Sequence, residues 1–176
     1  MAFEHDYLIV DIPDFPKPGI IFKDITPVLA SPEGFAELID GIANHFADRG
    51  VTKVVAAEAR GFMVGAPVAY KLGAGFVPAR KPGKLPREAY SEEFVLEYGT
   101  DSLEIHKDAL SEDDIVLIVD DLIATGGTVK AMIRLVEQAG AKLAGMGFFM
   151  ELAFLNPREA IAEASDQEVL SLYVVE

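Results

Sequence analysis

The run Val116-Leu-Ile-Val-Asp120-Asp121-Leu122-Ile123-Ala124-Thr125-Gly126-Gly127-Thr128 holds the densest chemistry of the 176-residue chain. Aliphatic residues lead into two carboxylates, then into small residues and glycines, then into a helical periodicity. Ala124, Thr125, Gly126, Gly127 and Thr128 let backbone N–H groups close around an anion, a helix starting there adds its partial positive charge, and two hydroxyls add donors. Together they make a cradle for a monophosphate. Asp120 and Asp121 cannot be ligands of that phosphate, because like charges repel. They suit a neighbour that donates hydrogen bonds or carries positive charge, such as a ribose diol beside its own 5′-phosphate, or Mg²⁺.

Other phosphate-binding patterns fail on their residues. Gly83-Lys84 is followed by Leu85 and lacks the Ser/Thr that a P-loop needs for Mg²⁺, and Gly145-x-Gly147 runs into Phe148 and Phe149 where a dinucleotide fingerprint needs a third glycine. Leu117-Ile-Val-Asp-Asp resembles the acidic strand of response-regulator receivers. The 55 residues after Asp121 are too few to finish that fold, and Thr-Gly-Gly-Thr has no place in it. His5, His45 and His106 are scattered and make no metal site.

A strand that ends in a phosphate cradle needs a sheet around it, and the rest of the chain spells one. Ser31-Pro32 caps a helix with Phe35, Leu38, Ile39, Ile42 and Phe46 on one face, closed at Gly50. Residues 51–57 form a short β-branched run of the kind buried inside a parallel sheet. A turn at Glu58-Ala59-Arg60-Gly61 leads to a second helix, to about Leu72, and residues 75–79 make the next strand. A strand over 115–119 runs into the acidic pair, and Val129, Met132, Ile133 and Val136 mark a helix that stops at Gly140. Strands over 143–152 and 169–175 follow, with a short helix from about Asn156 between them. This alternation predicts an α/β fold, a mainly parallel central sheet flanked by helices, as one domain over residues 1–176 with its ligand site at the carboxyl ends of the strands. Arg80 to about Ser102, rich in proline, glycine and charge, reads instead as a long loop or hairpin of the kind that forms lids.

Composition narrows the partners. Against 29 Asp+Glu stand 15 Lys+Arg, a net charge of −14, which repels phosphate backbones and makes nucleic acid an unexpected partner. The absence of cysteine removes disulfides, thiolate metal sites and cysteine nucleophiles. Glu4, Asp6 and Asp11 stand where a signal peptide would be basic, and no apolar run approaches the roughly 18 residues of a membrane helix. The expectation is a soluble, cytoplasmic protein without a membrane partner.

In register with one another, these thirteen residues resemble the motif by which type I phosphoribosyltransferases bind phosphoribosyl pyrophosphate. The likeness extends over nearly the whole chain. Asp14-Phe-Pro16, Ile21-Phe-Lys-Asp-Ile-Thr-Pro-Val-Leu29, Glu58-Ala-Arg-Gly-Phe62, Arg80-Lys-Pro-Gly-Lys-Leu-Pro86 and Leu96-Glu-Tyr-Gly99 are similar, in order, to the adenine phosphoribosyltransferases. The resemblance implies that family's fold, with a small N-terminal hood over about residues 1–30 and a flexible loop over about 81–102. It implies transfer of a phosphoribosyl group to adenine, giving AMP and pyrophosphate, with Mg²⁺ on the leaving group and a homodimer as the working form. Two alternatives are the same reaction on hypoxanthine, guanine or xanthine, and a non-catalytic sensor of phosphoribosyl pyrophosphate. The net charge and the lack of a basic DNA-reading segment argue against the sensor.

Breaking the bond at the anomeric carbon develops positive charge on the sugar and negative charge on pyrophosphate, so carboxylates belong by the ribose and cations by the leaving group. Under the resemblance, Asp120 and Asp121 are those carboxylates, and Arg60, Lys81 and Lys84 are candidate cations. Glu58, Ala59 and Arg60 form the pyrophosphate loop, with a cis peptide between Glu58 and Ala59. Phe22, between Ile21 and Lys23, becomes the hood aromatic that stacks on adenine; Ile21 offers backbone groups, and Leu122 lines the opposite face of the base. Glu97 takes the proton-handling role near the purine imidazole ring, and Tyr98 touches the ligands. Mg²⁺ is expected to ride on the substrate's pyrophosphate and ribose with no direct protein ligand. Nothing catalytic is expected beyond about Asn156.

Overall fold

Strands that are apolar almost throughout must be covered on both faces, and the computed structural model, which describes residues 3–95 and 99–176, covers them so. In chain order the elements are β1 (Val10–Pro13), β2 (Ile21–Asp24), α1 (Thr26–Ala30), α2 (Pro32–His45), β3 (Lys53–Ala57), α3 (Arg60–Leu72) and β4 (Gly75–Ala79). Then come β5 (Ala89–Val95), β6 (Thr100–His106), β7 (Ile115–Ile123), α4 (Gly127–Gln138), β8 (Lys142–Leu152), α5 (Pro157–Ala162) and β9 (Val169–Val175). Five strands form one parallel sheet in the order β4-β3-β7-β8-β9. This is the mainly parallel α/β sheet that the alternation of elements predicted. No helix among the described residues is long and apolar enough to cross a membrane.

The pleat divides the core in two. Val54, Leu117, Val119 and Phe149 face α2 and α3, whereas Val55, Val116, Ile118 and Phe148 face α4 and the β5–β6 hairpin. The helix ends follow local chemistry. Ser31 Oγ accepts the Gly34 N–H at 3.1 Å at the start of α2, with Pro32 as the first helical residue. From β3 the chain passes to β4 on one side and later to β7 on the other. The sheet order therefore reverses between β3 and β7, and a crevice opens at their carboxyl ends.

One strand runs further than the sequence reading placed it. β7 runs through the acidic pair to Ile123, so Asp120 and Asp121 are strand residues rather than the turn after a strand. The stretch from Arg80 to about Ser102, read as a long loop or hairpin, is for much of its length an antiparallel hairpin in which Ala89–Val95 pairs residue for residue with Thr100–His106. The hairpin is held because Leu103 and Ile105 are buried against α4 and the sheet, with Tyr90 and Phe94 packed beside them. Glu93 and Glu104 lie on the other face, whereas Glu92 shares the inner face and reaches Arg134 and Gln138 of α4. A second hairpin, β1–β2, stands apart from the sheet, and the Phe15–Pro16 peptide between its strands is cis, which the sequence reading did not foresee.

Candidate active site

Two helix N-termini meet at the crevice between β3 and β7. Residues 57–61 bring in the start of α3 and residues 120–129 bring in the start of α4; together they line one cleft of about 260 Å³. Neither helix start has a side-chain cap, so their first N–H groups and partial positive charges face the cleft. Glu58, Ala59, Arg60, Asp120, Asp121, Leu122, Ala124, Thr125, Gly126, Gly127 and Thr128 are thus brought together. Gly126 adopts φ +83°, a left-handed turn that lets the loop close into α4. The Glu58–Ala59 peptide is cis, as the resemblance implied.

The carboxylates sit on the cleft floor. Asp120 and Asp121 are 8% and 4% exposed, and Asp120 Oδ1 accepts the Asp121 N–H at 2.9 Å. Burial, and then the charge of Asp121, push the Asp120 carboxyl well above the usual carboxylate range. Burial pushes Asp121 up as well, against the pull of the Arg60 guanidinium, whose Nε lies 3.1 Å from Asp121 Oδ2. Such a pair can accept hydrogen bonds from a diol, and it places negative charge where a sugar cation would form.

Arg60 joins this cleft to a second, apolar cavity. Its Cζ lies 5.5 Å from the centroid of Phe22, and both residues line a slot with Ile21, Lys23, Leu122 and Asp121. The slot's far wall is Met150 and Leu152, alternate residues at the carboxyl end of β8. Sequence reasoning missed these two, although a strand beside β7 must present every second residue to the same ligand face. Phe22 is held edge-on by Phe15 at 5.2 Å, and Lys23 is paired with Asp11 at 2.7 Å.

The two loop lysines line neither cavity. The Lys84 ammonium is paired with Glu58, and the Lys81 ammonium with Asp101. The Lys81 N–H donates to Glu58 Oε1 at 2.7 Å, and Arg80 Nε stands 3.3 Å from the same oxygen. Burial would raise the Glu58 carboxyl, but the Lys84 and Lys81 hydrogen bonds and the charges of Lys84 and Arg80 hold it below its ordinary value. Glu58 therefore gathers three basic residues at the rim of the cleft. Arg80 was not singled out from the sequence, although it opens the Arg80-Lys-Pro-Gly-Lys run. Glu97 and Tyr98 lie outside the described residues.

Gly61 was also missed. A Cβ on it would fall 2.6 Å from Asp120 Oδ1, so only glycine lets the buried carboxylate reach its place beside α3. Among the described residues no group of three or more His, Asp and Glu converges as a metal cage. The donor set is the Asp120–Asp121 pair, which suits a hard cation that brings most of its oxygens with it.

Comparison with known proteins places this geometry in context. Residues 24–164 match the family profile described as the phosphoribosyl transferase domain. An adenine phosphoribosyltransferase of Solidesulfovibrio magneticus is 54% identical over 165 residues, covering 94% of this chain and 96% of that protein. The crystal structure of adenine phosphoribosyltransferase from Thermoanaerobacter pseudethanolicus is similar with a TM-score of 0.91 at 51% identity, covering 97% of each chain. The APRTase of Giardia lamblia, complexed with 9-deazaadenine, is similar with a TM-score of 0.93 at 37% identity, covering 100% of this chain and 99% of that one.

Proposed function

This chain belongs to the adenine phosphoribosyltransferases, and from that premise we propose how its residues divide the transfer of a phosphoribosyl group from phosphoribosyl pyrophosphate to adenine. The reaction is a glycosyl transfer of purine salvage that yields AMP and pyrophosphate. One observation carries the residue-level reading: a polar cleft with two helix N-termini and two buried carboxylates opens through Arg60 into an apolar slot between Phe22 and Leu122. The cleft matches a charged sugar phosphate, and the slot matches a flat base.

The 5′-phosphate takes the N–H groups of Thr125 to Thr128 and the start of α4. The ribose hydroxyls donate to Asp120 and Asp121, whose charge stabilises the sugar as the bond from its anomeric carbon to pyrophosphate lengthens. A ring nitrogen of adenine, held between Phe22 and Leu122, forms the new bond on the opposite side of that carbon. The electron pair of the broken bond leaves with pyrophosphate, toward the rim where Arg60, Arg80, Lys81 and Lys84 gather. Ribosylating one imidazole nitrogen obliges the purine to lose or exchange a proton, and Glu97 takes that role in this reading. Glu97→Ala should then lower kcat more than it raises KM for adenine; a pure KM effect would move Glu97 to binding.

Phosphoribosyltransferases use Mg²⁺ with phosphoribosyl pyrophosphate. Here Asp120 and Asp121 would approach an ion carried on the substrate's own oxygens, and that ion supplies charge neutralisation of the leaving group. Ile12, Phe15 and Met63 surround one apolar hollow, and the highly exposed Tyr70 follows two turns after Met63 on α3. That exposed face supports a homodimer, with a second copy as its cover. Charged substrates that do not cross membranes unaided support a cytoplasmic setting. The reading is tested by formation of AMP and pyrophosphate in equal amounts from phosphoribosyl pyrophosphate and adenine, with and without Mg²⁺.

A further inference from the structure

Helix α5 takes no part in the site described above, yet it is the wall behind the phosphate-cradling loop. A Cβ built on Gly126 would stand 3.3 Å from the Ala160 Cβ and 3.4 Å from the Pro157 carbonyl oxygen. The loop backbone therefore rests closely on α5, and a side chain at Gly126 would fit only if α5 gave way by a few tenths of an ångström. Where α5 goes, the loop's N–H groups go too.

Six residues cannot hold a helix in place by themselves, and α5 is held from outside. Arg158 forks onto Glu151: Nε donates to Oε1 at 2.9 Å and to Oε2 at 3.1 Å, and Nη2 donates to Oε2 at 2.8 Å. Its Nη1 donates to the Val169 carbonyl at 3.1 Å, where β9 begins. Ile161 is buried in the core below, and Lys130 of α4 reaches Glu163 just past the helix at 2.7 Å. The Glu151 side chain is only 4% exposed and lies at the carboxyl end of β8. Its strand neighbours Met150 and Leu152 face the apolar slot, while Glu151 itself faces α5. A planar guanidinium on a buried carboxylate fixes direction as well as distance.

We propose that Arg158, through its grip on Glu151, is a positioning residue for the 5′-phosphate site: it sets α5 against Gly126 and so fixes where the loop's N–H groups point. The proposal rests on the functional reading above. Phosphoribosyl pyrophosphate and AMP both place a 5′-phosphate in the cradle, whereas adenine and pyrophosphate do not. Loosening α5 should weaken the first two ligands and spare the last two.

Two variants test this. Arg158→Lys keeps the charge but loses the planar fork; Glu151→Met with Arg158→Met removes both charges and leaves no unpaired buried carboxylate. In each, KM for phosphoribosyl pyrophosphate and the inhibition constant of AMP should rise about tenfold. KM for adenine at saturating phosphoribosyl pyrophosphate, and the inhibition constant of pyrophosphate, should stay within about twofold. If kcat and Tm fall while all four constants hold, or if all four rise together, α5 is only structural and the proposal is overturned. Should the double variant not fold, Arg158→Lys decides alone. A parent chain that makes no AMP would fail the functional reading, whereas a working parent with unchanged variants fails only this inference.

Discussion

Gly61 and Asp120 compete for one space: the position a Gly61 Cβ would take is 2.6 Å from Asp120 Oδ1. In an open helix, Gly→Ala stabilises by roughly 0.5–1 kcal/mol. Here the methyl group meets a buried carboxylate held by the Asp121 N–H, and overpacking of this kind costs about 1–3 kcal/mol. Gly61→Ala should lower Tm and cut kcat/KM for phosphoribosyl pyrophosphate by about 10- to 100-fold. Steady-state kinetics beside a thermal melt checks it, and a variant with parental kcat/KM would mean that Asp120 needs no fixed position.

Asp120→Asn should lose activity and gain stability. Burial, followed by repulsion from Asp121, raises the Asp120 carboxyl above its unfolded value, so between those two values the folded chain binds more protons than the unfolded one. Stability contributed by this group is present in acid and lost as pH rises through that window. Asn keeps an oxygen for the Asp121 N–H and escapes the loss. At neutral pH its Tm should rise by roughly 2–4 °C, the effect of about 1 kcal/mol in a chain of this size, while AMP formation falls at least about 100-fold. Thermal melts of both chains from acid to neutral pH read the first part, and a Tm no higher than the parent's would refute it.

Glu58→Gln should show the opposite sign. Burial raises Glu58, but the Lys84 and Lys81 hydrogen bonds and nearby cations outweigh it and hold the carboxyl below its unfolded value. Its stabilisation is therefore present above the ordinary carboxylate range and lost as pH falls through the lowered value. The partners are half-exposed, so the loss at neutral pH should be small, up to about 1 kcal/mol. The larger effect should be on the pyrophosphate end: with Arg80 and Lys84 no longer gathered, KM for pyrophosphate in the reverse reaction should rise about five- to tenfold. Unchanged reverse kinetics would separate Glu58 from the leaving-group site.

Phe22→Ala removes one wall of the slot and the ring beneath Arg60. Loss of base stacking worth about 1–3 kcal/mol corresponds to a rise in adenine KM of roughly 5- to 150-fold, with KM for phosphoribosyl pyrophosphate changed far less. Comparable rises in both constants would make Phe22 a support for Arg60 rather than a surface for the base.

The parts legible from sequence were those with local causes. β3 and β7 are β-branched runs buried on two faces, and the loop into α4 pairs glycines with a helix start, so each announces itself within a dozen residues. The β5–β6 hairpin was harder to read, because Glu92 and Glu93 interrupt an alternation in which Tyr90, Phe94, Leu103 and Ile105 face inward. What stayed hidden were relationships between distant elements. Gly61 needs to be glycine only because β7 delivers Asp120 beside α3. Lys81 and Lys84 read as free cations until the turn after β3 sets Glu58 among them. Glu151 and Arg158 belong to a strand and a helix whose packing no spacing rule foretells.

Transfer to adenine in particular is read from product formation with phosphoribosyl pyrophosphate and Mg²⁺ when adenine, hypoxanthine, guanine and xanthine are assayed side by side. The apolar slot walled by Phe22, Leu122, Met150 and Leu152 predicts AMP from adenine, with kcat/KM at least about 100-fold above that for any oxopurine. Equal or faster turnover of an oxopurine would contradict the account of the slot, and no turnover of any of the four would contradict catalysis itself.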